Sequence, residues 1–542
     1  MIADAPDIKE QNIQELIHDV RDRIGDPVNV WAVASTIESM GIRDVDVRDD
    51  YGRDGIFDVA EVVYQELKRI EQQRIDYEEE GEESEFSRKI HRFFNGIYRF
   101  FRYYKYGMMY VLPILAQVVA LFVFKYSLWA YLYFNVTQAT IIAIGTMLGF
   151  IVTGGFVQVL GRVSSYYAGM ENYKLSQRIT RNFVFGGVIT LFAIAFLLFI
   201  TNLFIPFYPQ WMFILSMIYG ILIGILILAG AALYALRETI VIAGAIIIGT
   251  VLVIVNVDYF NLNIYLSQWM GLLLSIILML GYSAIYFRRK VHLFHEEDQS
   301  SELPKFEVMY YENYRYFLYG FLYFFFLFLD RIVAWSVGNP VPPYIIWFKT
   351  PYELGMDWAL LSLILTAGVL EYSVNTFSEL LMPLQSKIHL DSVSDFNDYF
   401  FKFYIRQLLL VIVLGIVSII VSYYMVLYFK PLGNRYTVIR DFFSSYITYK
   451  VFWIASVGYL FLSIGLLHTL FLFTLARPKN VIYSIFIAII VNFVVGFVLS
   501  RLFHYEDAVY GMTVGAFVFA VVTGFIAFKF FKRMDYYYYS AY

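Results

Sequence analysis

Residues 211–257 read WMFILSMIYGILIGILILAGAALYALRETIVIAGAIIIGTVLVIVNV, and Arg237 and Glu238 are the only charged residues in the stretch. A helix needs about 20 mostly apolar residues to cross the hydrocarbon core of a bilayer. The stretch holds two such helices, 211–235 and 238–257, with Leu236 and Arg237 left to turn between them. Helices that are apolar on every side are stable only when surrounded by lipid or by other apolar helices.

Ten more runs of the same kind follow on either side: 107–126, 138–160, 183–204, 264–287, 315–336, 357–382, 404–428, 450–475, 480–501 and 508–530. Composition agrees with them. The 542-residue chain is 59% hydrophobic and only 16% charged, against roughly 25% charged in soluble domains. The expected fold is all-α: a polytopic membrane protein with about twelve transmembrane helices in two six-helix bundles, preceded by a small soluble helical domain. There is no cysteine, which excludes disulfides, Cys–zinc sites and thiol catalysis.

The net charge of -4 conceals a split. Residues 1–87 carry 24 acids and 9 bases, whereas the rest of the chain carries 21 acids and 32 bases. The N-terminal MIADAPDIKEQ lacks both the basic and the apolar part of a signal peptide, so the acidic head is expected to stay in the cytoplasm. Within it, 8–24 and 57–73 have helical periodicity, and Val59, Val62, Val63 and Leu67 share one face. Pro27 is placed to open a helix and Gly41 to close it. Residues 76–87, DYEEEGEESEFS, read as a solvated acidic linker. Residues 88–106 mix Arg88, Lys89, Arg92, Arg99, Arg102 and Lys105 with aromatics, a pattern suited to a helix at the membrane surface.

Orientation follows from the distribution of bases. With both termini inside, the inner segments hold 24 of the 32 Lys and Arg beyond residue 87. The longest polar stretch on that side of the body, FRRKVHLFHEEDQSSELPKFE at 287–307, divides the spans six and six. The expected organisation is a cytoplasmic acidic domain (1–75), a linker with interfacial helix (76–106), a first bundle (107–290), a cytoplasmic loop (291–314), a second bundle (315–534) and a cytoplasmic tail (535–542). Paired bundles around a midplane cavity are a common transporter plan. The alternative is twelve spans without internal symmetry.

No enzymatic motif survives inspection, and no catalytic residue, metal or cofactor is assigned. There is no phosphate-binding loop of the Walker type, no HExxH and no nucleophile elbow. The seven His have no metal-ligand spacing. His468 in span ten and His504 beyond span eleven read as packing residues. The bases follow the inner membrane face, so nucleic acid is not an expected partner. Ionisable residues at bilayer depth are costly and therefore tend to face a cavity or a partner. In span eight, Glu371, Asn375 and Glu379 lie at i, i+4 and i+8 and share a helix face. Glu371 and Asn375, with Asp330 of span seven nearby and Glu379 toward the inner surface, are the candidate lining of a translocation cavity. A protonated or Arg-paired Glu371 with a purely structural role is the alternative. Gln117, Gln158 and Asn492 are further candidates, for the cavity or for helix–helix contact. The external acids Asp330, Glu353 and Asp357 show no spacing that marks a catalytic pair. The aromatic run YRYFLYGFLYFFFLFLDRIVAWSVG at 314–338 suits either core packing or a carbohydrate path.

Two six-span halves, with the small-residue, basic loop GRVSSYYAGMENYKLSQRITRN at 161–182, resemble the multidrug/oligosaccharidyl-lipid/polysaccharide (MOP, MATE-like) flippase superfamily. Within it, YGFLYFFFLFLDRIVAWSVG at 319–338, YELGMDWALLSLILTAGVLEYSVNTFSELL at 352–381 and the terminal MDYYYYSAY look like the Pel exopolysaccharide transporter (PelG) family. The resemblance covers about residues 100–542. The head is a departure, since that family begins close to its first span. What the resemblance implies is export of a polysaccharide through the cytoplasmic membrane, in company with membrane lipids, a cytoplasmic glycosyltransferase and accessory membrane proteins. A cation-coupled drug or lipid-linked oligosaccharide antiporter of the same superfamily, and a membrane scaffold for a polysaccharide synthase, are the competing expectations.

Overall fold

Apolar residues on all sides of a segment leave the backbone no polar partner but itself, so the chain folds into helices that satisfy their own hydrogen bonds. The computed structural model describes residues 5–24, 30–80, 85–293, 306–338, 345–387, 393–429 and 445–539.

Four α-helices and a π-helical turn (Val47–Tyr51) form the head among the described residues, the α-helices being α1 (Ala5–Ile24), α2 (Val30–Ser39), the single turn α3 (Asp44–Asp46) and α4 (Ile56–Glu80). Their apolar faces meet in a small core in which Val20, Val33, Ile37, Val59 and Val63 are fully buried. Gly41 closes α2 at φ 87°, a left-handed conformation that suits glycine. The acidic run at 76–80 is the end of α4. Glu is a good helix former, and it extends the amphipathic helix beyond the boundary expected for it.

The body consists of α5 (Glu85–Phe124), α6 (Val136–Gly169), α7 (Tyr173–Phe204), α8 (Gln210–Ala235), α9 (Thr239–Asp258), α10 (Ile264–Leu293), α11 (Phe306–Trp335), α12 (Thr350–Lys387), α13 (Val393–Phe429), α14 (Tyr446–Thr474), α15 (Pro478–Leu502), α16 (Val509–Phe531) and the short α17 (Met534–Tyr539). Among the described residues, eleven helices from α6 onward are long and apolar enough to cross a membrane. The remaining apolar run is the second half of α5, which is continuous with the expected surface helix.

Packing repeats between α5–α10 and α11–α16. The partner pairs α6·α8, α9·α10 and α5·α9 in the first set have the counterparts α12·α14, α15·α16 and α11·α15 in the second. The two sets meet through α5·α12 and α6·α11, which are themselves counterparts. Both junctions are glycine crossings. A Cβ on Gly107 would sit 2.4 Å from the Gly368 Cα, and one on Gly320 would sit 2.3 Å from the Gly154 carbonyl oxygen. Only hydrogens let the backbones approach this closely, as in small-residue contacts between membrane helices.

The tight turns repeat too. After α8 the Arg237 N–H donates to Tyr234 O at 2.9 Å and the Glu238 N–H to Leu233 O at 3.0 Å. After α14 the Ala476 N–H donates to Phe473 O at 3.0 Å and the Arg477 N–H to Leu472 O at 2.8 Å. Arg237 and Ala476, at φ 60° and 53°, occupy the same left-handed position. These turns lie on one face of the body, the basic face, together with the α6–α7 turn.

On the opposite face the segment 345–349 of the second half reaches over the first. The Tyr208 hydroxyl donates to Ile346 O at 2.7 Å and accepts from the Ile346 N–H at 3.1 Å. The Phe348 N–H donates to the Thr140 hydroxyl at 3.2 Å, and Trp347 packs against the first bundle's core.

Candidate functional site

Where α11 ends and α12 begins, four ionisable side chains converge. Asp330 and Arg331 are adjacent on α11 and both are buried. Glu353 and Asp357 stand one turn apart on α12, so both face the same neighbour. The Arg331 guanidinium spans them, at 3.0 Å from Glu353 and 3.3 Å from Asp357. A planar fork that serves two carboxylates holds both elements in register. The Tyr352 hydroxyl donates to Asp330 Oδ2 at 2.6 Å.

Partners run out before donors and acceptors do. Asp330 Oδ1, Glu353 Oε2, Arg331 Nε, the Tyr459 hydroxyl and Asn492 Oδ1 are buried with no hydrogen-bond partner among the described residues. Three carboxyls against one guanidinium leave the site with a negative excess when all are ionised. Buried polar atoms of this kind are costly unless something completes them, and a cation or protons would suit the excess. At the same end, Lys450 binds Asp507 at 2.6 Å and Glu506 at 3.7 Å, so that acidic pair already has its cation.

Glu371 belongs to a different place. It lies nineteen residues along α12 from Tyr352, roughly 28 Å at 1.5 Å per residue. Asp330 of α11 is therefore not its neighbour, because Asp330 is held by Tyr352 at the start of α12 and Glu371 lies near the middle of that helix. Glu371 is half-buried, one turn from the Gly368 crossing and within electrostatic reach of the Tyr234 phenol on α8. It thus faces the first bundle. The Asn375 amide donates to both the Glu371 carboxylate and its carbonyl at 2.9 Å. This tie is local to α12. The Glu379 side chain lies outside the described residues.

Gln117 and Asn492 make helix contacts. Gln117 donates to the Thr250 hydroxyl at 2.7 Å and accepts from the Leu128 N–H at 2.7 Å. Asn492 donates to Phe326 O at 3.3 Å, joining α15 to α11. Gln158 stands on the α6–α11 seam, its Cβ beside Gly320. His468 is buried between Tyr404 and Thr523, with hydrogen bonds of 3.1 and 3.2 Å. The aromatic run of α11 is core at Tyr316, Tyr319, Phe326, Phe328 and Trp335, so packing accounts for that part of it.

Arg331 and Tyr352 are members of the site that the sequence reading passes over. The signal is there. A base next to an acid at the end of a span, followed after a loop by acids four residues apart, is a pattern that can close into a network.

Two bundles joined at paired glycine crossings, with the chain running six helices in each, place the molecule among known folds. The chain has the fold of the MATE transporters. The eukaryotic MATE transporter AtDTX14 superposes with a TM-score of 0.55 at 13% identity, over 82% of this chain and 100% of that one. A single-residue mutant of the Vibrio cholerae MATE transporter VcmN gives 0.52 at 14% identity, over 81% and 98%. The MATE transporter ClbM in complex with Rb+ gives 0.51 at 13% identity, over 82% and 97%. No family model matches the sequence, and no curated protein does. The MATE likeness agrees with the superfamily resemblance at the level of the fold.

Proposed function

We propose that this chain is a membrane transporter that exposes the space between its two bundles to one side of the membrane and then to the other. The observation that carries this reading is the way the halves are joined: two glycine crossings between the bundles, and a segment at the opposite face held across by hydrogen bonds from Tyr208 and Thr140. Glycine contacts let packed helices tilt past each other. A few hydrogen bonds at one face are readily broken and remade.

The polar interior of the second bundle favours cation coupling. Asp330 and Glu353 each offer a buried oxygen with no hydrogen-bond partner among the described residues, and Glu371 lies at the bundle boundary as a further acid on the path. The cargo under this reading is an amphiphile, a drug or a lipid-linked oligosaccharide. Export of a Pel-like polysaccharide, with a cytoplasmic glycosyltransferase as partner, is supported by the sequence resemblance alone. In both readings the protein sits in the cytoplasmic membrane with both termini inside, as the base distribution supports.

The test uses the cysteine-free background. Thr140→Cys and Phe348→Cys, bridged by oxidation or by a short bifunctional thiol reagent, tie the latch shut. In proteoliposomes, transport of a fluorescent organic cation and of a lipid-linked oligosaccharide should fall to background on bridging and return on reduction or with unbridged protein. Undiminished transport by the bridged protein would sink the alternating-exposure reading. Secreted polysaccharide that is unchanged in cells lacking the protein would remove the polymer as cargo.

A further inference from the structure

On the basic face, a cavity of about 470 Å³ opens between the start of α11, the α14–α15 turn and the end of α16. Arg315, Arg477, Lys479 and Lys529 line it, and no acidic side chain does so among the described residues. Asp535, near in sequence, is engaged by the Asn397 amide at 2.8 Å. Like charges gathered around one cavity repel each other, so the arrangement favours an anion between them.

Apolar side chains line the cavity as well. Phe525 is 73% exposed and faces outward from α16 beside the cavity. A cavity that combines cations with an outward apolar side chain, Lys529 standing one turn from Phe525 on α16, matches a phosphate group attached to an acyl chain. Basic pockets between membrane helices at this depth bind anionic headgroups.

The first bundle supplies the control. The twin turn there has the same hydrogen bonds but carries Glu238 where the second has Arg477. Glu238 lies within electrostatic reach of Tyr282, as does Arg289 of α10. An acid and a base thus share the neighbourhood of that tyrosine in the first bundle. The fold repeats and the charge at this position is reversed.

We infer that the cavity on the basic face of the second bundle binds the headgroup phosphate of an anionic membrane lipid. Arg315 and Arg477, both half-buried, supply the donors at its floor, and Lys479 and Lys529, both exposed, close its mouth. Its lining residues all belong to the second bundle and the tail, and the proposal does not depend on the cargo.

The full chain, reconstituted into nanodiscs of phosphatidylcholine with a minor fraction of phosphatidylglycerol, is released into native mass spectrometry to count retained lipids. Wild type should retain phosphatidylglycerol in preference to phosphatidylcholine. The preference should fall about thirtyfold in Lys479→Gln/Lys529→Gln, persist in Lys479→Arg/Lys529→Arg, and persist when Arg289→Gln/Lys290→Gln is made in the first bundle. Equal retention by wild type and the neutralised variant would overturn the proposal, as would an equal loss from the first-bundle control. In a second arm, inorganic phosphate is added at millimolar concentration. No displacement supports a lipid source, whereas displacement of the lipid overturns it in favour of free phosphate. The two lysines are exposed, and unchanged elution of the variants as a single species separates loss of the site from loss of the fold.

Discussion

The first and second bundles share a helix-packing scheme and differ in where they keep charge. Counting from the glycine crossings puts the two in register. Ten residues beyond Gly320 is Asp330, and ten beyond Gly107 is Gln117. Three residues beyond Gly368 is Glu371, and three beyond Gly154 is Val157. Both Asp330 and Gln117 are buried. The amide of the first bundle satisfies itself on Thr250 and Leu128, whereas the carboxylate of the second keeps one oxygen without a partner among the described residues. Duplicated architecture therefore does not mean duplicated chemistry. At these matched positions one bundle keeps a paired amide, and the other keeps acids.

The sharpest way to break this comparison is to make the second bundle resemble the first. Asp330→Asn should reduce cation-driven transport in proteoliposomes at least tenfold, roughly the effect of a lost charge-assisted interaction of 1.4 kcal/mol or more. Gln117→Leu should leave most of the flux intact. Equal losses from both would mean that the bundles do not divide their roles. Arg331→Met removes the partner of two acids and should destabilise the second bundle by about 3–5 kcal/mol, read as a lower thermal unfolding midpoint. Adding Glu353→Gln to that variant should recover part of the loss.

A smaller effect is expected at the seams. Gly320→Ala forces a methyl group against the Gly154 carbonyl and should cost about 1–3 kcal/mol. Gly107→Ala should behave alike, because the two crossings are counterparts. A clear difference between them in thermal unfolding would show that one seam carries more of the joint than the other. The smallest change is expected for Gln117→Leu in stability, about 1 kcal/mol for a single helix–helix hydrogen-bond group in a membrane.

Much of this fold is legible from apolar run length. Spans such as 211–235 and 238–257 are helices within a residue or so of where hydropathy places them, because in lipid the backbone has no other way to bond itself. The turn at Leu236–Arg237 is readable for the same reason. The repeat is not, because LRETIVIA and LARPKNVI share a backbone conformation with almost no shared side chains. No helix break falls at the boundary expected at 106, since α5 runs on from the basic segment into the apolar run. Intramembrane acids stand out in the sequence, but spacing along one helix cannot say which other helix completes a site. Glu371 and Asp330 look like neighbours in a count of spans and are separated by much of the length of α12. Arg331 and Tyr352 acquire their meaning only once α11 and α12 are side by side.

The bond between Tyr208 and Ile346 gives the latch its own clock. The Ile346 amide is held by a hydroxyl from the other bundle, so its exchange with deuterated solvent depends on how often the halves part at that face. Slow exchange in the resting protein, accelerated by a cargo that opens the face and abolished in the bridged Thr140→Cys/Phe348→Cys variant, would turn a single hydrogen bond into a direct record of the transport cycle.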